Sequence, residues 1–420
     1  MRYADETDVV SALRGARAVA SPGCGTPGTL LDLVGRHADE LAGTALFSGL
    51  LLGDYPFLEA VRAGSLSYAT WHVMPPVRGL VADGRVAFHP VRASQVPWLL
   101  GELGIDTALI RVSPPDRHGF CSLGPSVSYP RGAVRRSRLV IAELDPAVPR
   151  TRGESEIHVN DIDLAIESQV PMPEYRRAQP DDISRAIAEH LVDLLPDRPS
   201  IQIGIGGIPE AFVDLLVERR VPDLRFVGMA TDGMADVFDA GLLDLSGTVP
   251  WPAVMSAELM GSHRLMEFAD DNPALGTYST EQGINASTLW SMDHFVTINS
   301  ALEVDRSGQV AAENAAGKQI SGIGGSIDFN EAALHSHGGL RVVALPAADV
   351  RRHSSKIVDR FADGTPVSLG RHSVDWVVTE YGAVRLGPLS LAERAEALAS
   401  ITHPDHRAHH PDFPAKGISA

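Results

Sequence analysis

The sequence predicts an α/β protein with two domains and mostly parallel sheets. Apolar runs typical of strands alternate with helical patterns through most of the chain, and this alternation is typical of parallel sheets covered by helices. A chain of 420 residues is longer than one ordinary hydrophobic core accommodates, and its length suits two domains. The 39 glycines and 29 prolines fit a fold with many turns between strands and helices.

The individual elements follow from the residue patterns. Helices are predicted for residues 183–195 and for residues 210–220, where Pro209 suits a first helical turn. Residues 301–313 predict two strands around a DRSG turn. Buried strands are predicted for TALIRV (107–112), RLVIAEL (138–144), IQIGIG (201–206), RFVGM (225–229), HFVTIN (294–299), RVVALP (341–346) and WVVTEYG (376–382).

A polar, proline-containing connection at residues 171–182 (PMPEYRRAQPDD) marks the predicted domain boundary. An N-terminal α/β domain is predicted for residues 1–175. A C-terminal α/β domain, which carries the glycine-rich loops described below, is predicted for residues 183–420.

Composition excludes several classes of partner. The net charge of −17 disfavours a nucleic-acid or anionic membrane surface, so we expect neither partner. The two cysteines, Cys24 and Cys121, are too few for a disulfide scaffold, which fits a reducing compartment. The N-terminus is polar and acidic, unlike a signal peptide, and no apolar run reaches the roughly 18 residues of a membrane span. We therefore expect a cytoplasmic protein.

The segment IQIGIGGIPEAF (201–212) reads as a strand, a glycine turn and a helix start. Gly204, Gly206 and Gly207 allow close approach of a ligand to the backbone, and the helix N-terminus behind them favours an anion or a developing oxyanion. Pro209 stands where a dinucleotide-binding motif has its third glycine, and no Gly-Lys-Ser/Thr follows, so neither a Rossmann motif nor a P-loop is indicated. A tight turn without a ligand is the alternative.

A second glycine-rich loop, SGIGGSIDF (321–329), has the same character. Gly322, Gly324 and Gly325 permit close backbone approach, and Ser321 can donate a hydrogen bond. Alone this loop is equally compatible with a structural turn. Together the two loops favour one elongated, phosphate-bearing ligand.

Three other features are candidates for chemistry. The loop VSPPDRHGFCSLG (112–124) presents His118 and Cys121, a possible base and nucleophile, although packing explains both residues more simply. His72 is a second candidate base. The histidine-rich run HPDHRAHHPDF (403–413) lacks a regular ligand spacing, so we expect a solvated tail and no metal site.

Ordered motifs along nearly the whole chain resemble the acetyl-CoA hydrolase/transferase family, whose members include 4-hydroxybutyrate and butyryl-CoA:acetate CoA-transferases. The resemblance is carried by the segments IRVSPPDRHGFCSLGPSVSY (110–129), VIAELDPAVPRTRGESEIHVNDID (140–163), IQIGIGGIPEA (201–211), INSALEVDRSGQVAAE (298–313), KQISGIGGSIDF (318–329), VALPAADVRRHSSKIV (343–358), WVVTEYGAVRL (376–386) and ERAEALASITHPDHR (393–407).

The resemblance implies two similar open α/β domains with the active site between them. It implies an acyl-CoA and a small carboxylate as substrates, and a homo-oligomer. We expect no tightly bound cofactor, with the coenzyme A thioester entering as a substrate together with a small-molecule acceptor. Both glycine-rich loops would bind the coenzyme A thioester, through Gly204, Gly206, Gly207 and Ile208 in the first loop and Ser321, Gly322, Gly324 and Gly325 in the second. Arg351 would meet a phosphate.

The resemblance also locates one departure. In the family a glutamate stands four residues before an Asp-Gly pair and attacks the thioester, forming a glutamyl-CoA intermediate. Here the pair is Asp232-Gly233, and Gly228 stands at the glutamate position. We interpret Gly228 as a vacancy that gives room to a second substrate. Smaller departures are Ser326, where relatives have glutamine, and Asp349, near where they have lysine.

The sequence is compatible with three functions. The first is an acyl-CoA transferase or hydrolase in which an outside acceptor or water attacks the thioester directly, with His118 or His72 as base. The second is CoA transfer with a substitute carboxylate, Asp232 or Glu303, although a helix cap and a hairpin explain these residues equally well. The third is a CoA-binding protein without catalytic activity.

Overall fold

The computed structural model describes residues 1–247, 249–349, 351 and 353–407. The strands of the first half are β1 (Arg2–Tyr3), β2 (Arg17–Ala20), β3 (Ala45–Ser48), β4 (Ser67–Thr70), β5 (Ala87–Phe88), β6 (Thr107–Val112), β7 (Phe120–Ser122), β8 (Leu139–Leu144), β9 (Arg152–Gly153), β10 (Glu156–His158) and β11 (Leu164–Glu167). Eight of them form a fully parallel sheet in the order β1-β11-β8-β6-β2-β3-β4-β5.

The strands of the second half are β12 (Ser200–Ile203), β13 (Arg225–Ala230), β14 (Val254–Leu259), β15 (Leu275–Thr277), β16 (Phe295–Ser300), β17 (Glu303–Asp305), β18 (Val310–Ala311), β19 (Asn314–Ala315), β20 (Lys318–Gln319), β21 (Leu340–Ala344), β22 (Ala348–Asp349), β23 (Ser354–Ser355), β24 (Ile357–Val358), β25 (Trp376–Thr379) and β26 (Gly382–Arg385). A second large sheet runs β26-β25-β21-β16-β12-β13-β14-β15-β9 and is parallel except at the β25–β26 pair.

Helices pack on these two sheets. They are α1 (Glu6–Leu13), α2 (Gly28–Arg36), α3 (Phe57–Ala63), α4 (Arg78–Ala82), α5 (Val96–Glu102), α6 (Pro130–Arg136), α7 (Asp182–Asp193), α8 (Gly207–Glu218), α9 (Asp232–Asp239), α10 (His263–Ala269), α11 (Thr280–Gly283), α12 (Ala286–Trp290), α13 (Ser326–His335), α14 (Leu391–Ser400) and α15 (Pro404–Arg407). Among the described residues, no helix combines the length and the apolar character needed to cross a bilayer.

The predicted α/β class with mostly parallel sheets is confirmed. The seven predicted strands correspond to β6, β8, β12, β13, β16, β21 and β25, and the predicted helices correspond to α7 and α8. Residues 301–313 form the predicted pair of strands, β17 and β18, which are antiparallel. Helix α8 buries Phe212, Leu215 and Leu216 against the second sheet because their spacing places them on one face.

The division into domains is less simple than the boundary at residues 171–182 suggests. The segment before α7 is irregular, as predicted. However, β9 of the first half pairs in parallel with β15 and forms the edge of the second sheet. The two halves are therefore joined by backbone pairing as well as by the connection.

The topology fixes where a site can form. In the first sheet β2 lies between β6 and β3, and in the second sheet β12 lies between β16 and β13, so the strand order reverses at each central strand. Ligands of open parallel sheets bind beyond the carboxyl ends of the strands at such reversals.

Candidate active site

A cavity of about 350 Å³ lies between the carboxyl ends of the two sheets. From the first sheet its wall receives the residues that follow β2, β3 and β4, which are Pro22, Gly49, Leu50, Trp71 and His72. From the second sheet it receives the ends of β12, β13, β14 and β16, which are Gln202, Ile203, Gly228, Met229, Ala257, Glu258, Asn299 and Ser300. Both points of strand reversal thus open into one cavity, which lies where the resemblance leads us to expect the active site.

Gly228 lies in this wall near the end of β13. Its φ of 102° belongs to the region that side-chain-bearing residues rarely adopt. A Cβ atom built on it would lie 2.9 Å from Cζ of Phe329, a buried ring of α13, and 3.4 Å from Cγ of Gln202. The interpretation of Gly228 as an open vacancy therefore needs correction, because the Phe329 ring occupies the first part of that space and the cavity lies beside it.

The GIGGIP loop contributes less to the wall than predicted. Gly204 lines the cavity together with Ile205, and a Cβ on Gly204 would meet no atom within 4 Å. Gly206, with a φ of 126°, precedes α8, and Gly207 is its first residue. Ile208 is buried in the core under the second sheet. In this structure Gly206, Gly207 and Ile208 shape the turn, and Gly204 faces the cavity.

The SGIGG loop lines the cavity along its whole length, with Ser321, Gly322, Gly324 and Gly325 followed by Ser326, the first residue of α13. The first turn of α13, with its free N–H groups and positive dipole end, is therefore adjacent to the cavity.

The SGIGG loop also joins the two halves. The amide of Ala93 donates to the carbonyl of Gly324 at 2.8 Å. A Cβ on Gly322 would overlap the carbonyl oxygen of Trp71. Gly322 is thus required for close contact between the halves, and Gly324 connects them by a backbone hydrogen bond.

Glu258, which the sequence analysis missed, is a carboxyl group in the cavity wall. It lies near the end of β14, is 5% exposed, and pairs in register with Met229, the residue after Gly228. Its oxygens contact two serines of the first half, Ser126 and Ser128. Burial raises the pKa of Glu258 to about 8, against the opposing effect of these hydroxyl groups. The signal in the sequence was a single acid inside the apolar run VMSAEL.

His72 is the candidate base that the structure brings to the cavity. It is half-buried in the wall after β4. Burial lowers the pKa of His72 to about 4, so the imidazole is neutral near pH 7. Its ring lies against the SGIGG loop, where a Cβ on Gly324 would be 3.7 Å from Cε1.

Three predicted site residues lie elsewhere. His118 is exposed in the turn between β6 and β7, where its Nε2 accepts a hydrogen bond from Nε of Arg117 at 2.9 Å. Asp232 begins α9 and accepts the hydroxyl of Ser262 at 2.9 Å, which ties α9 to α10. Arg351 is exposed after β22. None of these three residues belongs to the described lining of the cavity.

The remaining candidates are structural by position. Glu303 is half-buried in the β17–β18 pair, opposite Ala311. Cys121 is fully buried in the β7–β10 pair, and burial raises the pKa of its thiol to about 11. The described residues contain no group of three His, Cys, Asp or Glu side chains placed to hold a metal. Residues 408–413 of the histidine-rich run, and Arg352, lie outside the described residues.

Comparison with known proteins gives matches along most of the chain. The family model of the acetyl-CoA hydrolase/transferase N-terminal domain matches residues 10–173, and that of the C-terminal domain matches residues 261–410. The chain is 34% identical over 395 residues to a 4-hydroxybutyrate coenzyme A transferase of Clostridium kluyveri, across 93% of this chain and 92% of the relative.

Two further relatives extend the comparison. The chain is 30% identical over 397 residues to a butyryl-CoA:acetate CoA-transferase of Anaerostipes caccae, across 91% of this chain and 88% of the relative. The crystal structure of RipA from Yersinia pestis superposes with a TM-score of 0.90 at 27% identity, covering 97% of this chain and 96% of that one.

Proposed function

Because this chain belongs to the acetyl-CoA hydrolase/transferase family, and is thus an enzyme of the acyl-CoA transferase/hydrolase kind, we propose that it transfers acyl groups without a glutamyl-CoA intermediate. An acyl-CoA thioester binds in the cavity between the two sheets. The acyl group then passes directly to a small acceptor or to water.

The observation that carries this proposal is the wall of the cavity at Gly228. Gly228 and Met229 are the residues of β13 that belong to the described lining of the cavity. Met229 has no carboxylate, so a nucleophilic side chain on this strand would have to be carried by residue 228. The backbone at Gly228 has a φ of 102°, and the Phe329 ring blocks the direction of a side chain. The proposed thioester therefore faces a surface without a covalent nucleophile at this point.

The rest of the wall supports direct transfer. The SGIGG loop and the N-terminus of α13 line the cavity. Backbone N–H groups at a helix N-terminus can stabilise the oxyanion that develops when a thioester carbonyl is attacked. Holding acceptor and thioester together in one cavity supplies much of the remaining acceleration. A volume of about 350 Å³ suits the thioester and a small acyl group.

CoA transfer to a small carboxylate through a substitute carboxylate is the second candidate. Asp232 and Glu303 do not support it, since Asp232 binds Ser262 and Glu303 pairs in a hairpin. The observation that favours it is the presence of Glu258 in the wall. The third hypothesis, binding without catalysis, is dropped because the family is one of enzymes.

Product analysis tests the proposal. The protein is incubated with a panel of short acyl-CoAs, alone and with acetate, an amine or an alcohol, and every CoA species is measured by liquid chromatography and mass spectrometry. Free CoA together with an acylated acceptor or the free acid supports direct transfer. New acyl-CoA species that form only when acetate is present indicate CoA transfer and contradict it.

Two accompanying expectations belong to the same proposal. The coenzyme A thioester enters as a substrate, with no other tightly bound cofactor. Self-association stays a prediction, and light scattering after size-exclusion chromatography measures it.

A further inference from the structure

We propose that Glu258 is the acid–base group of this acyl transfer, delivering a proton to the departing CoA sulfur and taking one from the acceptor. This inference rests on the proposed function, because it assumes that the acceptor attacks the thioester directly. Glu258 is the one buried carboxyl group in the described cavity wall, and its hydrogen bonds favour a role in proton transfer.

The position of Glu258 on β14 brings a carboxyl group beside the carboxyl end of β13, where Gly228 lies. β13 and β14 pair in parallel, and the register shifts between Gly228 and Met229, so Gly228 pairs with Ser256 and Met229 pairs with Glu258. Gly228, Met229 and Glu258 all line the cavity. Glu258 therefore lies on the strand adjacent to the one that carries Gly228, the position where the resemblance predicts a glutamate.

The hydrogen bonds around Ser126 favour a proton on Glu258. The Ser126 hydroxyl lies 2.7 Å from the carbonyl oxygen of Pro22 and 2.6 Å from Oε2 of Glu258. It also accepts the amide of Gly25 at 3.2 Å. A hydroxyl has one hydrogen, so it cannot donate to both oxygens. If Ser126 donates to Pro22, Oε2 must carry the hydrogen that joins it to Ser126.

The electrostatic surroundings agree with this arrangement. Burial raises the pKa of Glu258 to about 8, while Ser126 and Ser128 lower it. The Cys24 thiol and the Tyr129 phenol, which interact electrostatically with Glu258, and His72 of the same cavity wall keep their charge state around pH 8. Burial raises the pKa of the Cys24 thiol to about 11 and that of the Tyr129 phenol well above its usual value, and it lowers the pKa of His72 to about 4.

Ser128 provides a path from Glu258 to the substrate. Its hydroxyl is hydrogen-bonded to Oε1 of Glu258, and Ser128 itself lines the cavity. A hydroxyl that accepts one proton and gives another can pass a proton from the carboxyl group to an atom in the cavity.

The reaction balances with Glu258 unchanged. As the acceptor X–H attacks, the bond between the carbonyl carbon and X forms and the carbon–sulfur bond breaks. Ser128 contacts Oε1, so a half-turn of the carboxyl group about its Cγ–Cδ bond first brings the protonated oxygen to Ser128. The proton then passes through Ser128 to the departing thiolate, which leaves as CoA-SH. The carboxylate then takes the proton of X–H by the same path. The sum is acyl-CoA plus X–H giving acyl-X plus CoA-SH.

Protonation also separates this role from that of a nucleophile. A carboxyl group that holds its proton attacks a thioester poorly, and both oxygens of Glu258 are engaged by serines. The same features suit a group that lends and recovers a proton.

The test compares Glu258→Gln with a matched control, Glu303→Gln. Glu303 is a half-buried glutamate whose pKa is likewise raised by burial, but it lies in the β17–β18 pair. Acyl transfer is followed by release of free CoA over a range of pH. We expect Glu258→Gln to lower kcat about 10²–10⁴-fold, the usual effect of losing a general acid–base group, with Glu303→Gln near the wild type.

The pH profile supplies a readout that a structural role would not move. Because the protonated form is required first, kcat/KM of the wild type should fall as pH rises through about 8. This fall should be absent from the residual activity of Glu258→Gln. If Glu258→Gln does not fold, the wild-type profile and Ser128→Ala, for which we expect a loss of about tenfold or more, still test the proposal.

The outcomes distinguish the two proposals. If Glu258→Gln retains wild-type kcat and the same profile, the acid–base role is overturned while direct transfer stands. If the wild type forms a CoA adduct on the peptide that contains Glu258, direct transfer fails and Glu258 is the nucleophile. If the adduct lies on another peptide, direct transfer fails on its own account.

Discussion

The Phe329 ring lies 2.9 Å from the point where a Cβ atom on Gly228 would stand. The tip of β13, where the resemblance predicts a glutamate, therefore has a backbone conformation and a neighbouring ring that both suit glycine. Phe329 is buried, and it packs near Phe295 with ring centroids 6.4 Å apart, so it has little freedom to withdraw.

The first prediction is that Gly228→Glu does not create a glutamyl-CoA enzyme. The positive φ costs about 1–3 kcal/mol for a side-chain-bearing residue, and the clash with Phe329 adds to that. We expect a lower free energy of unfolding, measured with denaturant, and no bound CoA after incubation with acyl-CoA.

The paired variant Gly228→Glu with Phe329→Ala is the control for this prediction. It removes the ring while keeping the glutamate, so any adduct that appears only there identifies Phe329 as the obstacle. A single Gly228→Glu variant that is as stable as the wild type and accumulates a CoA adduct would show that this reading of the strand tip is wrong.

The second prediction concerns Gly204, the residue of the GIGGIP loop that faces the cavity. A Cβ there meets no protein atom within 4 Å, so Gly204→Ala should fold normally while narrowing the space for the acyl group. We expect a several-fold rise in KM for acyl-CoA and a change in the free energy of unfolding within about 1 kcal/mol.

Gly79→Ala is the matched control, since a Cβ at Gly79 also meets no atom within 4 Å and the residue lies in α4, away from the described lining of the cavity. Its KM should equal that of the wild type. An unchanged KM in Gly204→Ala would mean that the thioester binds elsewhere.

The third prediction is a pH-dependent difference in stability between the wild type and Glu258→Gln. The pKa of Glu258 is raised by burial from 4.5 to about 8, so the stability linked to its proton is fully present below about 4.5 and is lost as pH rises to about 8. Glutamine has no such proton. Relative to the wild type, Glu258→Gln should therefore gain stability between these pH values, by at most about 1.4 kcal/mol for each pH unit.

Denaturant unfolding of both proteins at pH 5, 6.5 and 8 measures this difference. Glu303→Gln serves as the comparison for a half-buried glutamate away from the cavity. A difference in unfolding free energy that is constant with pH would show that Glu258 is ionised throughout and cannot be the proton donor.

The fourth prediction is that Cys121 takes no part in catalysis. Its thiol is buried in the β7–β10 pair, and burial raises its pKa to about 11, so little thiolate forms near pH 7. We expect Cys121→Ala to keep kcat, and the native protein to react slowly with a thiol reagent. Loss of activity in a variant with unchanged thermal unfolding would restore the Cys121 nucleophile hypothesis.

The sequence was sufficient to predict those elements whose pattern is local. β6 has the predicted bounds, and all six of its residues are buried, as is typical of a parallel strand covered on both faces. The SGIGG loop was expected near a ligand site, and the structure places all four predicted residues in the cavity wall. That these residues bind a ligand stays a prediction.

Glu143 and Glu258 show why the site itself was harder to predict. Each is a single acid in an apolar strand, in LVIAEL and VMSAEL. Glu143 pairs with buried Arg111 at 3.1 Å, which gives it a structural role. The hydroxyl partners of Glu258 are Ser126 and Ser128, over 100 residues away in the chain. The local patterns are the same, and only tertiary contacts distinguish an ion pair from a cavity acid.

His118 and Arg351 were misplaced for the same reason. Residue chemistry made them candidates, but neither is among the described residues that line the cavity, and both are exposed. The distance of a loop from the cavity depends on strand order, which a single sequence does not contain.

The most direct measurement is the mass of the intact protein during turnover. The wild type is mixed with an excess of acyl-CoA, quenched with acid within the first turnovers and at steady state, and analysed by mass spectrometry with and without hydroxylamine. Direct acyl transfer predicts the mass of the unmodified chain at every time. A species heavier by coenzyme A that hydroxylamine removes would contradict it, and digestion would identify the carboxylate that carries the adduct.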